Sequence, residues 1–171
     1  NAKGELVKTY DFNRSVEIQS INISGNTLYA YCGGLLIVDV NTGVVQNEKI
    51  NSAVKFIHKH GDELICATYK GLYIYQEDQL NSYLDTLWIK KALPVAANIY
   101  LLECAGSIYT FNRTTQKLNL IQTEGTDVWK LGDHWFYRTE KAVYSLNSKL
   151  QKKKVHTSHI SISQLYITEG K

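Results

Sequence analysis

The sequence GGLLIVDVNTGVV, residues 33–45, contains a glycine turn, an apolar strand and a polar residue that ends the strand, which we call the polar stop. Its two glycines allow the backbone to reverse direction. The run from Leu35 to Val38 is rich in the apolar and β-branched residues that favour strands. Asp39 ends this run, and Asn-Thr-Gly follows with residue types typical of turns. The stretch therefore predicts one strand of an antiparallel hairpin, and its parts recur along the chain.

The polar stop recurs at a nearly constant spacing. Apolar–polar pairs end at Asp39, Gln76, Asn112 and Asn147, which are separated by 37, 36 and 35 residues. A second marker has steps of 36, 36 and 35 residues at Gly25-Asn26, Gly61-Asp62, Ala97-Asn98 and Gly132-Asp133. Glycine beside Asn or Asp is typical of tight hairpin turns. Two independent markers with one period indicate a tandem repeat.

Each repeat unit is predicted to contain four antiparallel strands, of which the third is apolar on both faces and the fourth is polar. We place the units at residues 15–50, 51–89, 90–122 and 126–157, with a partial unit at 159–171, and the fourth strands at 44–49, 83–89, 117–122 and 151–155. Apolar residues on both faces suit a sheet that is covered on both sides, and polar strands suit an exposed edge. The pattern predicts an all-β chain of β-propeller blades, because a β-sandwich has no reason to repeat its turns every fourth strand.

The two ends of the chain predict partial strands. Residues 5–12 are interpreted as the fourth strand of an earlier blade, and residues 160–162 and 165–168 as the first two strands of a fifth. These three strands do not complete a blade. We therefore expect residues 1–171 to form either a single propeller domain or a segment of a larger propeller.

The unit VKFIHKHGDELICATYKGLYIYQED, residues 54–78, resembles a WD-repeat. The endings VDVNTG and FNRTTQ of the first and third units resemble the Trp-Asp-x-x-Thr-Gly ending of that family. No unit has the Trp-Asp or Gly-His dipeptide, and only Asp39 corresponds to the structural Asp of the family. The resemblance implies propeller blades and a role as an interaction scaffold. Bacterial sensor-type propellers share the same general pattern.

Composition and charge limit the kinds of binding partner and the cellular location that we expect. A formal net charge of +3 is slight for nucleic-acid binding, and no apolar run approaches the ~18 residues of a membrane span. We expect neither nucleic-acid binding nor direct membrane insertion. The three cysteines lack metal-ligand or redox spacing, which favours buried thiols in a reducing compartment. This predicts a cytoplasmic location, with a periplasmic or extracytoplasmic one as the alternative.

The sequence offers little to support catalysis or metal binding. His58-Lys-His60 would place two rings on one strand face, but no third ligand is near in sequence, so we interpret it as a solvated hairpin end. Lys152 to Lys154 are interpreted as an exposed sheet edge. A nucleophile elbow, a phosphate-binding loop and a zinc helix motif are all absent from the sequence. We therefore predict no enzyme activity, no catalytic residues, no metal and no cofactor.

Three tryptophans, Trp88, Trp129 and Trp135, are interpreted as core aromatics rather than as stacking platforms.

The loops between second and third strands are predicted to form a partner-binding face. They carry Tyr31, Thr68, Tyr69, Lys70, Glu103, Arg138, Thr139 and Glu140. Tyrosine and arginine among charged residues are typical of interface hot spots. The leading hypothesis is a non-catalytic protein–protein interaction scaffold with a protein partner. One alternative is the ligand-sensing propeller of a bacterial receptor, with a small-molecule pocket at the central opening. A third hypothesis is a carbohydrate-active propeller enzyme.

Overall fold

Four antiparallel sheets follow one another along residues 18–162, the part of the chain that the computed structural model describes. The first sheet contains β1 (Ser20–Ser24), β2 (Thr27–Tyr31), β3 (Leu35–Asp39) and β4 (Val45–Glu48). The second contains β5 (Val54–His60), β6 (Glu63–Thr68), β7 (Gly71–Gln76) and β8 (Gln79–Tyr83). The third contains β9 (Ile89–Ala96), β10 (Ile99–Cys104), β11 (Ser107–Asn112) and β12 (Lys117–Gln122). The fourth contains β13 (Thr126–Leu131), β14 (His134–Arg138), β15 (Ala142–Leu146) and β16 (Lys152–Thr157). The described residues contain no helix, and the predicted all-β class with four four-stranded repeats is confirmed.

The turn between the first two strands of each sheet explains why glycine recurs beside Asn or Asp. Gly25, Gly61 and Gly132 have φ values of 56°, 53° and 56°, which glycine adopts without steric cost. The third sheet has Ala97 at the equivalent position, and there the positive φ moves to Asn98, at 59°. Asparagine tolerates this conformation better than most residues with a side chain. The repeat therefore preserves a backbone shape even where the glycine is lost.

The polar residue that ends the third strand organises the next turn in three of the four sheets. Asp39 Oδ1 accepts hydrogen bonds from the backbone N–H groups of Asn41 and Thr42, at 2.9 and 2.7 Å. The Oδ1 atoms of Asn112 and Asn147 accept the N–H of a residue three or two positions later. Short Asp and Asn side chains close turns in this way. The polar residue at the end of the third strand thus stabilises the turn that follows it.

The fourth strand of the second sheet lies earlier than the sequence predicted. Gln76 stands at its polar stop, and Glu77 and Asp78 form a two-residue turn with positive φ values of 52° and 57°. Because this turn is so short, β8 covers Gln79–Tyr83, and the predicted strand at residues 83–89 is wrong. Ile89 instead begins the first strand of the third sheet. Residues 84–88 therefore form the connection between β8 and β9.

The core lies between consecutive sheets, which explains why the middle strands are apolar on both faces. Successive side chains of a strand point to opposite faces. Leu64 therefore packs against the first sheet while its neighbour Ile65 packs against the third. In the third sheet, Leu102 packs against the second sheet and Leu101 against the fourth. Each fully buried side chain of this size contributes about 1.5–3 kcal/mol relative to exposure.

The strand order of the sheets is that of propeller blades. The first strands of consecutive sheets pack together, β1 against β5, β5 against β9 and β9 against β13. The fourth strands lie at the opposite edges, and every residue of β16, including Lys152 to Lys154, is exposed. Innermost first strands and exposed fourth strands are the arrangement of a propeller, and the predicted exposed polar edge is present.

A partly buried polar clamp joins the second and third sheets near their first turns. The Arg113 guanidinium lies 2.8 Å from Glu63 Oε1, and the Tyr100 hydroxyl donates to Glu63 Oε2 at 2.7 Å. Arg113 Nε also donates to Asn98 Oδ1 at 2.8 Å. A single arginine thus connects two sheets and one turn.

The predicted partial strands at the chain ends are only partly within the described residues. Residues 5–12 and 165–168 lie outside them. Residues 160–162 are described and form no strand, so that prediction is wrong. Ser158 N donates to Lys141 O and Ile162 N donates to Glu140 O, so this backbone pairs with the β14–β15 turn instead of with a strand.

Candidate partner-binding site

The structure separates the eight predicted site residues into strand ends and turns. Tyr31, Thr68, Glu103 and Arg138 lie in strands β2, β6, β10 and β14, so the expectation that all eight lie on loops is wrong for these four. Tyr69 and Lys70 form the β6–β7 turn, and Thr139 and Glu140 lie in the β14–β15 connection. Tyr31, Thr68 and Glu103 are buried, whereas Tyr69, Lys70 and Glu140 are exposed. The side chains at the strand ends are covered because neighbouring sheets pack against them.

Buried Thr68 holds the turn that presents Tyr69. The Thr68 hydroxyl donates to Gly71 O at 3.0 Å and accepts the N–H of Lys70 at 3.0 Å. Both turn ends are therefore anchored by one side chain. The role of Thr68 within this face is to shape the turn.

Tyr69 and Trp88 form an exposed aromatic pair. Their ring centroids are 5.3 Å apart, and the two residues are 44% and 49% exposed. The prediction that Trp88 is a core aromatic is therefore wrong, whereas the same prediction for Trp135, which is 4% exposed, is confirmed. The Lys55 ammonium lies 4.3 Å from the centre of the Tyr69 ring, which adds a cation–π contact.

The connection before β9 places Trp88 beside this turn. The N–H of Gly71 donates to Leu87 O at 2.8 Å, which draws residues 84–88 against the β6–β7 turn. Gly71 has a φ of 101°, and a Cβ on it would lie 2.5 Å from Tyr83 O. Only glycine fits this close approach without displacing the backbone. The local fold thus explains why Trp88 lies beside Tyr69.

A charge network lies next to the aromatic pair. Lys90 Nζ is 2.8 Å from Glu103 Oε1 and 3.7 Å from Asp127 Oδ1. Asp127 Oδ2 accepts a hydrogen bond from Arg138 Nε at 2.6 Å, and Arg138 also donates to the backbone carbonyl of Ile162. Two predicted site residues, Glu103 and Arg138, are therefore brought together through Lys90 and Asp127.

The pKa values at this network follow from burial and pairing. Burial alone would raise the pKa of the Asp127 carboxyl, but the hydrogen-bonded charge of Arg138 and the nearby charge of Lys90 outweigh it and lower that pKa. The hydrogen bond to Glu103 raises the pKa of Lys90, against an opposing effect of burial. Both directions favour the ionised forms of Asp127 and Lys90 at neutral pH.

Two small cavities lie on either side of the Lys90–Glu103 pair. One, of about 250 Å³, is lined by Trp88, Lys90, Glu103, Ala105, Gly106 and Thr126. The other, of about 230 Å³, is lined by Lys55, Phe56, Lys90, Lys91, Glu103, Asp127 and Trp129. We call them the tryptophan cavity and the lysine cavity. Because both share Lys90 and Glu103, this ion pair forms the wall between them.

Several residues of this face escaped prediction from sequence. They are Lys55, Trp88, Lys90, Lys91 and Asp127. The run Trp-Ile-Lys-Lys at residues 88–91 could have indicated part of this face. A large aromatic residue close to two lysines, near the boundary between two repeat units, is a candidate for exposure. Asp127, by contrast, carried no signal in its sequence context, and its positive φ of 53° is a feature of the fold alone.

The two histidines near the end of β5 are a separate feature, on the second sheet. The rings of His58 and His60 lie on one face of β5, with centroids 6.3 Å apart, and burial lowers the pKa of His58. Within residues 18–162, no group of three or more His, Cys, Asp or Glu side chains is arranged to hold a metal ion. None of the described residues belongs to a helix long and apolar enough to cross a membrane.

Comparison with known proteins gives structural but not sequence relatives. No protein-family model matches the chain, and no curated protein is significantly similar to it. The chain is similar to the extracellular domain of a putative one-component system from B. thetaiotaomicron, with a TM-score of 0.65 and 12% identity over 91% of this chain and 25% of that one. It is also similar to the N-terminal domain of Nup159, with a TM-score of 0.62 and 13% identity over 84% and 46% of the two chains. For BamB from Moraxella catarrhalis the TM-score is 0.60, with 14% identity over 82% and 50%.

The chain spans half or less of the length of each of these structures. Identities of 12–14% show a likeness of fold alone. These neighbours are propeller-like folds, in agreement with the order of the four sheets. The chain therefore has a propeller-like fold.

Proposed function

We propose that this chain is a non-catalytic propeller segment that binds a protein partner through the face formed by Tyr69, Trp88 and the two cavities. The observation that carries this proposal is the exposed Tyr69–Trp88 pair beside those cavities. Exposed aromatics with nearby charges are enriched among interface hot spots. Four predicted site residues contribute: Tyr69 to the face, Thr68 to the turn that presents Tyr69, and Glu103 and Arg138 to the charge network.

The size of the cavities favours side chains of a protein over a small ligand. At about 250 and 230 Å³, each is smaller than the roughly 300–1,000 Å³ typical of small-molecule pockets. Two adjacent cavities separated by an ion pair suit two neighbouring side chains of a peptide. At this face, the cavity sizes therefore support a protein partner over a small ligand.

The carboxylates of the face support a non-catalytic role. Glu103 is engaged by Lys90, and Asp127 is engaged by Arg138 and Lys90. A glycosidase needs one carboxyl group that holds a proton near neutral pH and a second that acts as base or nucleophile. The lowered pKa of Asp127 is opposite to that required of a general acid. The hypothesis of a carbohydrate-active enzyme gains no support here.

A peptide selection tests the proposal. Random twelve-residue peptides displayed on phage would be selected on the immobilised chain, and the affinity of the best peptide would be measured by fluorescence polarisation. Trp88→Ala should weaken binding at least tenfold, because truncation of a hot-spot aromatic costs 2 kcal/mol or more. The matched control is Leu120→Ala, which removes another exposed apolar side chain, on β12. Failure to select any peptide, or equal affinities of wild type and Trp88→Ala, would contradict the proposal.

A further inference from the structure

We propose that the lysine cavity binds an aspartate or glutamate side chain of the protein partner, between the ammonium groups of Lys55 and Lys91. This inference rests on the proposed function, because it names the chemistry that the same face recognises. It follows from the charges, the volume and the neighbouring tryptophan cavity.

Positive charge exceeds negative charge around the lysine cavity. Lys55, Lys90 and Lys91 contribute three ammonium groups to its lining, and Glu103 and Asp127 contribute two carboxylates. Both carboxylates are already in ion pairs, Glu103 with Lys90 and Asp127 mainly with Arg138. Among residues 18–162, neither Lys55 nor Lys91 forms an ion pair with a carboxylate. The lining therefore offers two cations for an incoming anion.

These two ammonium groups lie on aromatic rings. Lys55 Nζ is 4.3 Å from the centre of the Tyr69 ring, and Lys91 Nζ is 5.4 Å from that of Phe56. Cation–π contacts hold a lysine in place but leave its N–H donors available. Lys91 is half-buried, and its burial lowers the pKa of its ammonium, although nearby carboxylates oppose this effect. A partly desolvated cation attracts an anion more strongly than one in bulk water.

The geometry favours a carboxylate over a phosphate. Phosphate recognition commonly uses the planar fork of arginine for bidentate hydrogen bonds. The arginine of this face, Arg138, is engaged by Asp127 and by the carbonyl of Ile162. Two lysines supply point charges instead, and the two carboxylates in the lining, Glu103 and Asp127, would repel a doubly charged phosphate more than a singly charged carboxylate.

The tryptophan cavity indicates which kind of residue lies next to the acidic residue in the bound peptide. It offers the Trp88 ring, Ala105 and Gly106 on the other side of the Lys90–Glu103 wall. A ligand that fills both cavities therefore presents an anionic group next to an apolar group. A peptide segment in which Asp or Glu lies close to an apolar residue has this chemistry.

The experiment uses the best peptide from the phage selection and measures its dissociation constant by fluorescence polarisation. Selected peptides should carry Asp or Glu close to an apolar residue. Lys91→Gln and Lys55→Gln should each weaken binding at least fivefold, whereas Lys91→Arg, which keeps the charge, should retain affinity within about threefold. The matched control is Lys154→Gln, because Lys154 is exposed like Lys55 and its ammonium also lies over an aromatic ring, 5.9 Å from the ring centre of Tyr144.

A double-mutant cycle tests the contact itself. Replacement of the acidic residue of the peptide by its amide should weaken binding at least fivefold to wild type and less than twofold to Lys91→Gln. Thermal melting of each variant verifies that the fold is retained.

The outcomes separate this inference from the proposed function. If binding requires Trp88 but the peptides lack acidic residues, or if neither lysine variant differs from Lys154→Gln, the inference is wrong and the proposed function stands. If phosphoserine in place of the acidic residue improves affinity more than tenfold, the cavity is a phosphopeptide site and the carboxylate assignment is wrong. If Trp88→Ala has no effect, the proposed function fails as well.

Discussion

The ammonium of Lys90 lies 2.8 Å from the carboxylate of Glu103, yet the two side chains differ sharply in exposure, at 55% for the lysine and 4% for the glutamate. The pair is therefore asymmetric. Loss of the lysine would leave a buried carboxylate without its cation, whereas loss of the glutamate charge would leave an ammonium that water can solvate. This pair also forms the wall between the two cavities, so its stability affects the proposed binding face.

This asymmetry predicts unequal effects of two substitutions. Lys90→Met should lower the free energy of unfolding by roughly 1–3 kcal/mol, because a buried acceptor loses its partner. Glu103→Gln should cost less, about 1 kcal/mol or below, because a neutral amide is easier to bury and Lys90 remains hydrated. Urea unfolding at pH 7 measures both values. An equal or larger loss for Glu103→Gln would show that solvent reaches Glu103.

The Asp127–Arg138 pair predicts a dependence of stability on acid pH. The pKa of Asp127 is lowered in the fold from its ordinary 3.8, so the pair stabilises the protein above about pH 4. As pH falls below this value, the unfolded chain takes up a proton more readily than the folded one, and that stability is lost. Arg138→Ala should lower the free energy of unfolding by about 1–2 kcal/mol at pH 7 and by less at pH 3. Urea unfolding at the two pH values tests this, with Asp127→Asn as the matched variant, and an equal loss at both would contradict the ion-pair interpretation.

The strands could be predicted from sequence because their limits depend on local chemistry. Gly25 and Asp39 act on the turn that contains them, so their types and spacing carry the information. The fourth strand of the second sheet was misplaced because Gln76 belongs to the same repeat position but does not mark the same turn. There, two residues with positive φ, Glu77 and Asp78, reverse the chain instead.

The proposed binding face could be predicted only in part because its contacts join distant positions. Tyr69 was recognised as a turn residue, but its partner Trp88 is exposed only because residues 84–88 return to the β6–β7 turn. Lys90 pairs with Glu103, thirteen positions away on the adjacent strand, and nothing local to either residue indicates that pairing. Spacing alone therefore predicted the sheets but not the charge network.

The buried cysteines predict a loss of stability at alkaline pH. Burial raises the pKa of the Cys66 thiol to about 12, from an ordinary value of 9.0. Below about pH 9 the thiol is protonated in both the folded and the unfolded state, so its ionisation does not change the free energy of unfolding. As pH rises from 9 towards 12, the unfolded state loses the proton first and the free energy of unfolding falls. Unfolding in urea at pH 8 and pH 10 should show a smaller decrease for Cys66→Ala than for wild type, and identical decreases would contradict this account.

The close approach of Gly71 to the Trp88 connection predicts a large effect of one methyl group. Gly71 has a φ of 101°, and a Cβ there would lie 2.5 Å from Tyr83 O and 3.1 Å from the backbone of Leu84. Gly61 also has a positive φ, of 53°, but a Cβ on it would meet nothing within 4 Å. Gly61→Ala should therefore cost only the strain of a left-handed alanine, about 1 kcal/mol, whereas Gly71→Ala should cost at least about 2 kcal/mol more, because the backbone itself must move.

That movement should also separate Trp88 from Tyr69 and weaken binding of the selected peptide, while Gly61→Ala leaves its affinity unchanged. Urea unfolding and fluorescence polarisation measure the two effects, and similar values for the two alanine variants would show that the connection does not press on Gly71.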